Sequence, residues 1–185
     1  MHNILTSEYV SQHHLDRMIA RPITTDDLDD IVAFYNDEEA SRFLKFEASM
    51  SNESMAQYYL DKQLDRYRMH NGLMVLERKL DGAIVGHCGL LYQEVDGEKI
   101  IEIGYRLLKK YWQNGYASEA AKYFRNYGFN DNRVDALYCM IHPENKNSQK
   151  VALRLGMTFQ RNIHHNGVMA LLYGITRTAF NQIKK

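Results

Sequence analysis

The segment EIGYRLLKKYWQNGYASEA, residues 102–120, decides how this chain folds. Apolar and polar residues alternate over 101–105, which is typical of a β-strand with two different faces. Gly115 follows in a turn, and Ala117 and Ala120 then begin an apolar stripe at helical spacing. The segment therefore predicts a strand, a turn and a helix in direct succession.

The turn and the first turn of this helix have the features of an anion site. Gly115 and the small Ala117 let a ligand approach the backbone closely, and the amides of residues 113–118 can point outward together. Lys109 and Lys110 lie just upstream and add positive charge. The pattern favours a pyrophosphate pocket, and an ordinary strand–helix junction without a ligand is the competing interpretation.

Outward from this segment, the order β-α-α-β-β-β-α-β-α-β-β is predicted. The strands are expected at 17–22, 73–79, 83–92, 99–108, 134–141, 157–162 and 168–176. The helices are expected to begin after Thr25, and at about 52–69, 115–127 and 148–155. Residues 1–16 are polar and irregular, which predicts a loosely held extension before a single α+β domain over 17–185.

Composition excludes several classes of protein. The 185 residues are 45% hydrophobic and 25% charged, which suits one globular domain. Basic and acidic side chains number 23 each, so no general nucleic-acid surface is expected. The chain has no apolar run of membrane-spanning length and no secretion signal at its start, so we expect a cytoplasmic protein with no membrane contact.

The cysteines and the histidine pairs do not predict a metal site. Cys88 and Cys139 lie within predicted strands and outside any CxxC motif, so they are interpreted as reduced core residues. The pairs His13–His14 and His164–His165 lack supporting ligands at suitable spacing. His87, within a strand, is interpreted as a core histidine.

Three motifs together resemble the GNAT superfamily of acetyltransferases, and within it the RimJ/RimL-type branch. They are EIGY at 102–105, YWQNGYASEA at 111–120, and HPENKNS at 142–148 followed by Val151 and LGM at 155–157. The resemblance extends from Met18 to Arg177. Trp112 is common in this branch where the superfamily usually has Gln or Arg, and Gln113 stands where relatives often have Gly.

The resemblance implies a fold and a co-substrate. The fold is a three-layer α+β domain with a mixed, mostly antiparallel seven-stranded sheet that splays between its fourth and fifth strands. The pantetheine arm of acetyl-CoA would lie in that gap, and its pyrophosphate would lie on the amides of the loop. The implied cofactor-binding residues are Leu107, Leu108, Gln113, Asn114, Gly115, Tyr116, Ala117, Ser118 and Asn145.

The implied reaction is direct transfer of the acetyl group to an amine, which needs a base, an oxyanion donor and an acid. Glu102 is the candidate base, directly or through a water, and an ordinary polar residue on a wet strand face is the alternative. Ser148 is the candidate acid, and it also suits the N-cap of the short helix. The N–H near Leu107 is the expected oxyanion donor, whereas Tyr105 and Tyr116 are interpreted as packing residues.

Two classes of function remain open at this point. The first is an enzyme that acetylates a primary amine, either a protein N-terminus or a small amine, as a monomer or homodimer. The second is a binding module that senses acyl-CoA without turnover, because Ala152 stands where a neighbouring branch places a tyrosine acid. The irregular segment 42–50 is expected to form a wall of the acceptor site.

Overall fold

The computed structural model describes residues 5–44, 50–130, 134–165 and 167–183. Within these ranges, the strands form one mixed sheet with the order β1-β2-β3-β4-β5-β6-β8-β7. The strands are β1 His13–His14, β2 Met18–Arg21, β3 Gly72–Arg78, β4 Ile84–Val95, β5 Glu98–Leu107, β6 Ala136–Ile141, β7 Thr158–His165 and β8 Val168–Thr176. The predicted mixed α+β sheet is confirmed, but the predicted number of seven strands is wrong because β1 adds an eighth.

The sheet opens between β5 and β6. These two strands are parallel, and they pair at one position, where Glu102 lies opposite Tyr138. The other neighbouring strands are antiparallel and pair along most of their length, as β4 and β5 do from Gly86 to Val95. The gap lies between the fourth and fifth strands of the sequence prediction, where the splay was expected.

Six α-helices cover the sheet in the described ranges. They are α1 Leu28–Asn36, α2 Glu38–Ser41, α3 Asn52–Tyr67, α4 Tyr116–Asn130, α5 Lys146–Arg154 and α6 Arg177–Ile183. The short α2 and the terminal α6 were not predicted. Short 3₁₀ turns precede α1 at Thr25–Asp27 and follow β5 at Lys109–Tyr111. No helix in the described part of the chain is long and apolar enough to cross a membrane.

Alternation along the strands creates one apolar layer on each face of the sheet. On β3, Met74 and Leu76 belong to the larger core that includes Phe124 of α4. Leu73 and Val75, between them in sequence, belong to the second core under α1 and α3. The molecule therefore has three layers, with the sheet in the middle, and β5 presents a different set of side chains to each layer.

The prediction of a loosely held N-terminal extension is wrong for residues 5–16. Leu5, Tyr9 and Leu15 are buried in the larger core. The Tyr9 hydroxyl donates to Gly72 O (2.6 Å) and accepts from Leu90 N (2.6 Å), so it links the segment to β3 and β4. The apolar residues are too irregularly spaced to predict an element, yet each finds a place against α4 and the sheet.

Candidate active site

A cavity of about 620 Å³ lies where β5 separates from β6. Its walls come from α1, α3, β5, β6 and the start of α5, together with the β7–β8 end of the sheet. Because the gap passes between the strands, side chains from both faces of β5 border the same space. Glu102, Gly104 and Arg106 reach it from the α3 face, and Ile103 and Tyr105 reach it from the α4 face.

Glu102 is a buried carboxylate in this cavity, with 9% of its surface exposed. Gln93 Nε2 donates to Glu102 Oε2 at 2.8 Å, and the Met140 backbone amide also hydrogen-bonds to the carboxylate. Burial raises the pKa of Glu102, and the hydrogen bond from Gln93 and the charge of Arg66 partly offset that rise. The interpretation as a residue on a wet strand face is therefore wrong, and the environment suits a base.

Gln93 joins Glu102 to a nearby cation. Arg66 Nη2 donates to Gln93 Oε1 at 3.5 Å, while Arg66 Nη1 lies 3.3 Å from Asn71 Oδ1 and from Tyr92 O. Burial lowers the pKa of Arg66, and the Glu102 carboxylate opposes this. Sequence reasoning missed Arg66 and Gln93 because they are 36 and 9 positions from Glu102 and belong to no motif.

Two hydroxyl groups meet on the opposite side of the gap. Tyr105 OH donates to Ser148 O at 2.9 Å, and Ser148 Oγ donates to Tyr105 OH at 3.0 Å. Burial raises the pKa of Tyr105 well above its usual value, so the phenol keeps its proton. Tyr105 was interpreted as a packing residue, and it does pack against the larger core, but its hydroxyl also lies beside the candidate acid.

The cap of α5 is Asn145, which corrects the interpretation of Ser148 as the N-cap. Asn145 Oδ1 accepts from Ser148 N at 3.1 Å, and the helix begins at Lys146. Ser148 lies in the first turn, so its hydroxyl is directed to Tyr105 instead of to the helix backbone. The Asn145 side chain has a structural role that does not require a ligand, and a cofactor contact by Asn145 stays a prediction.

Leu107 and Leu108 have different backbone orientations. Leu108 N donates to Val85 O at 3.1 Å, and Leu108 O accepts from Tyr111 N at 2.9 Å, so both of its backbone polar groups already have partners. Backbone groups alternate in direction along an antiparallel strand, so the N–H of Leu107 points toward the gap. The geometry is compatible with the predicted oxyanion donor at Leu107 and does not support the predicted backbone contact at Leu108.

The loop that follows β5 has the backbone that an anion site requires. Gln113 and Gly115 both have positive φ, 63° and 81°, which turns the chain sharply into α4. Glu119 N makes a bond to Gly115 O at 3.0 Å. The amides of 116–118 precede Glu119, the first amide that donates within the helix, and are available to a phosphate oxygen. The predicted anion site at Gln113, Asn114, Gly115, Tyr116, Ala117 and Ser118 therefore has a suitable backbone, and its ligand stays a prediction.

Arg17 adds a positive charge to this loop. Arg17 Nη1 donates to Asn114 O at 3.0 Å, and its guanidinium lies 4.5 Å from the centre of the Tyr116 ring. Arg17 also pairs with Glu119 at 2.6 Å, which fixes the side chain against the first turn of α4. Sequence reasoning did not include Arg17 because it lies almost a hundred positions before the loop.

The remaining sequence candidates are the cysteines, the histidines and the irregular segment 42–50. Cys88 and Cys139 are buried free thiols, as predicted, and His87 is a buried core residue. Among the described residues, no three His, Cys, Asp or Glu side chains lie close enough to hold a metal ion. Phe43, Leu44 and Met50 line the cavity, 45–49 lie outside the described residues, and the acceptor wall expected over 42–50 stays a prediction.

Comparison with known proteins identifies the fold and its chemistry. Residues 17–158 match the acetyltransferase (GNAT) domain family. This chain belongs to the GNAT acetyltransferase family. The resemblance inferred from the three motifs is therefore confirmed at the level of the superfamily.

Two curated relatives come from Bacillus subtilis strain 168. The uncharacterized protein YkkB is 37% identical over 91 residues, which is 49% of this chain and 53% of YkkB, so the match spans about half of that relative. The uncharacterized N-acetyltransferase YoaA is 27% identical over 144 residues, covering 76% of this chain and 79% of YoaA. The names of these two relatives do not state their acceptors.

Solved GNAT structures share the fold at low sequence identity. A GNAT-family acetyltransferase from Bacillus anthracis has a TM-score of 0.73 at 22% identity, covering 90% of this chain and 99% of that chain. A putative ribosomal-protein-serine acetyltransferase from Vibrio cholerae has a TM-score of 0.72 at 18% identity, with 89% and 97% covered. The aminoglycoside acetyltransferase AAC(6')-Ib in complex with coenzyme A has a TM-score of 0.69 at 16% identity, with 90% and 98% covered.

Proposed function

We propose that this GNAT protein transfers the acetyl group of acetyl-CoA to a primary amine by direct attack while both substrates are bound. One observation carries the proposal. Glu102 and the Tyr105–Ser148 hydroxyl pair border the same cavity from opposite faces of β5. A base on one side of the gap and an acid on the other are the two groups that the transfer needs.

The steps follow from this arrangement. Glu102, directly or through a water, takes a proton from the ammonium group, and the free amine attacks the thioester carbonyl. A C–N bond forms and the C–S bond breaks. The departing thiolate takes one proton from the Tyr105–Ser148 hydroxyl pair, and the second proton that the nitrogen loses as the amide forms restores this pair through solvent. The Leu107 N–H stabilises the negative charge on the carbonyl oxygen during the transfer.

The proposed binding of acetyl-CoA uses the loop and the gap. The amides of 113–118 and the charge of Arg17 would hold the pyrophosphate, and the pantetheine arm would extend along β5 toward Leu107. Acetyl-CoA is consumed in the reaction and supplies the activated acyl group. The complex of AAC(6')-Ib with coenzyme A supports this proposal, since that protein has the same fold.

Two of the solved structures with the same fold have names that state an acceptor. The Vibrio cholerae protein is named for a ribosomal protein substrate, and AAC(6')-Ib is named for an aminoglycoside. A protein N-terminus, as in the RimJ/RimL-type branch, and a small amine are therefore both consistent with the fold. The cytoplasmic location and the choice between monomer and homodimer stay predictions.

The main test is the substitution Glu102→Gln, which keeps the shape of the side chain and removes the base. Turnover should fall by roughly 10²- to 10⁴-fold while acetyl-CoA binds with unchanged affinity. Because the pKa of Glu102 is raised, the wild-type rate should rise with pH until the carboxylate has ionised, and the variant should lack this rise. A non-catalytic sensor, the alternative suggested by Ala152, predicts acetyl-CoA binding and no turnover in either protein.

Binding to the loop is tested by calorimetric titration with acetyl-CoA. Gly115→Glu places a carboxylate where the pyrophosphate would approach, and it should abolish measurable binding. Gly97→Glu is the matched control, because Gly97 has nearly the same φ of 80° and lies in the β4–β5 turn with no atom near its missing Cβ. Equal binding by both variants would place the co-substrate elsewhere.

A further inference from the structure

Arg106 is a buried cation on β5 that has no acidic partner among the described residues. Its side chain is 7% exposed, and the guanidinium carbon lies 3.4 Å from the centre of the Tyr59 ring and 4.5 Å from that of Phe34. Arg106 Nε donates to His87 Nδ1 at 3.0 Å, and Nη1 lies 3.3 Å from Tyr35 OH. Aromatic faces and a neutral ring nitrogen compensate only part of the cost of burying a charge.

Three polar atoms around this guanidinium have no hydrogen-bond partner within the part of the chain that the structure describes. They are Arg106 Nη2, Tyr59 OH and His87 Nε2. Because His87 Nδ1 accepts from Arg106, Nε2 carries the ring proton, so all three atoms can donate. Buried donors without an acceptor are costly, and two of these three donors, on Arg106 and Tyr59, belong to residues that line the cavity and could serve an anion there.

Among the described residues that line the cavity, cationic side chains outnumber carboxylates. Glu102 is the one carboxylate among the described residues that line it, and three permanently charged cations, Lys62, Arg66 and Arg106, line it too. Arg66 lies near Glu102 through Gln93, as described above. Arg106 lies at a different position along β5, and no described carboxylate forms an ion pair with it.

Arg106 and Glu102 are on the same face of β5, separated by Gly104. Four residues of a strand span about 13 Å, so the two side chains can contact different parts of one bound molecule. Leu73 and Leu91 pack over Gly104, where a Cβ would lie 3.0 Å from each of them. Glu102 and Arg106 nevertheless line the same cavity, so one bound molecule can place its amine at Glu102 and a second group at Arg106.

From this arrangement we infer that the acceptor carries a carboxylate in addition to its reactive amine, and that Arg106 and the Tyr59 hydroxyl bind this carboxylate. The inference rests on the proposed function, because it concerns the acceptor half of that same site. The separation along β5 favours amines several bonds away from the carboxylate, as in ω-amino acids and short peptides. The carboxylate supplies the anion that Arg106 otherwise lacks and holds the amine toward Glu102.

The test uses matched pairs of primary amines, each pair being an ω-amino acid or short peptide and its carboxamide. The acids should have kcat/KM values about 10- to 100-fold higher than the amides, through a lower KM. In Arg106→Gln this preference should disappear because the KM of the acids rises, while the amides and the binding of acetyl-CoA stay unchanged. Arg161→Gln, which removes an exposed cation on β7 outside the cavity, is the control and should keep the preference.

A second variant tests the carboxylate site even if Arg106→Gln fails to fold. Tyr59→Phe removes only a hydroxyl that has no described hydrogen-bond partner, so the protein should remain folded. The KM of the acids should rise by about 3- to 10-fold and that of the amides should not change. A change of equal size for acids and amides would contradict a role in carboxylate binding.

The outcomes separate this inference from the proposed function. Equal transfer to acids and amides by the wild type would overturn the carboxylate site and leave the acetyltransferase proposal standing. Calorimetric binding of the acids to the CoA-loaded protein, lost in Arg106→Gln but without any transfer, would support the carboxylate site and overturn the transfer chemistry. Failure of every acid both to bind and to accept an acetyl group would overturn the inference.

Discussion

At the scale of single residues, burial decides the role of each polar group that borders the cavity. Glu102 and Tyr105 lie on opposite faces of the same strand, and burial raises the pKa of both. For the carboxyl, a raised pKa produces a stronger base. For the phenol, it means that the proton is retained at working pH and can be given to a leaving group.

The Tyr105–Ser148 pair permits a prediction about which hydroxyl supplies that proton. Tyr105→Phe should reduce kcat by roughly 10²-fold or more, because the phenol is more acidic than the serine hydroxyl and its side chain lines the cavity. The loss of kcat in Ser148→Ala should be at least 10-fold smaller than the loss in Tyr105→Phe, since the phenol remains. Steady-state kinetics of both variants, with acetyl-CoA affinity measured in parallel, provides the check. A larger loss of kcat in Ser148→Ala would assign the acid to the serine.

At the scale of elements, the N-terminal segment and the central strands stabilise each other. Tyr9 places its hydroxyl between Gly72 O and Leu90 N, where β3 and β4 end their pairing. A Cβ at Gly89 would lie 2.5 Å from this hydroxyl and 2.3 Å from Gly72 O. The absence of a side chain at Gly89 is therefore what lets the tyrosine reach the backbone of both strands.

Removing this hydroxyl should destabilise the protein without touching the cavity. Tyr9→Phe leaves Gly72 O and Leu90 N without their side-chain partner in a buried place, which should cost about 2–4 kcal/mol of unfolding free energy. Tyr58→Phe, at a tyrosine that is half exposed, is the control and should cost less than about 0.5 kcal/mol. Urea denaturation of the two variants measures both values, and equal midpoints would contradict a stabilising role for the Tyr9 hydroxyl.

At the scale of the whole molecule, the gap between β5 and β6 is the weakest connection in the sheet. One bridge, between Glu102 and Tyr138, joins the two strands directly, while α4 and α5 hold the two halves together on one face. A ligand that enters the gap contacts both halves of the sheet. Its binding free energy therefore adds to the free energy of folding of the whole domain.

This predicts a clear thermal response to the co-substrate. Acetyl-CoA at about 100 times its Kd should stabilise the native state by about 2.7 kcal/mol, which corresponds to a rise in Tm of roughly 5–10 °C for a chain of this size. Differential scanning calorimetry with and without acetyl-CoA measures the shift, and Gly97→Glu should behave like the wild type. An unchanged Tm in the wild type at saturating acetyl-CoA would contradict binding across the gap.

The sequence by itself determined the order of the main helices and strands and the loop after β5. These features depend on neighbouring residues: the period of apolar positions sets the element type, and Gly115 permits the turn. The family motifs also identified Glu102 and Ser148 as candidates. The same local reasoning missed β1 and the packing of residues 5–16, because their burial depends on surfaces contributed by β3, β4 and α4.

Only the tertiary structure decided which side chains meet in the cavity. Tyr105 and Ser148 are 43 positions apart, and Arg106 lies 71 positions from Tyr35, so no local pattern relates the members of either group. Tyr105 shares its strand face with Ile101 and Ile103, which indicated core packing, and the splay of β5 from β6 brings the same side chain to the wall of the cavity. Burial and hydrogen bonding between distant segments, which no residue spacing encodes, gave these groups their chemistry.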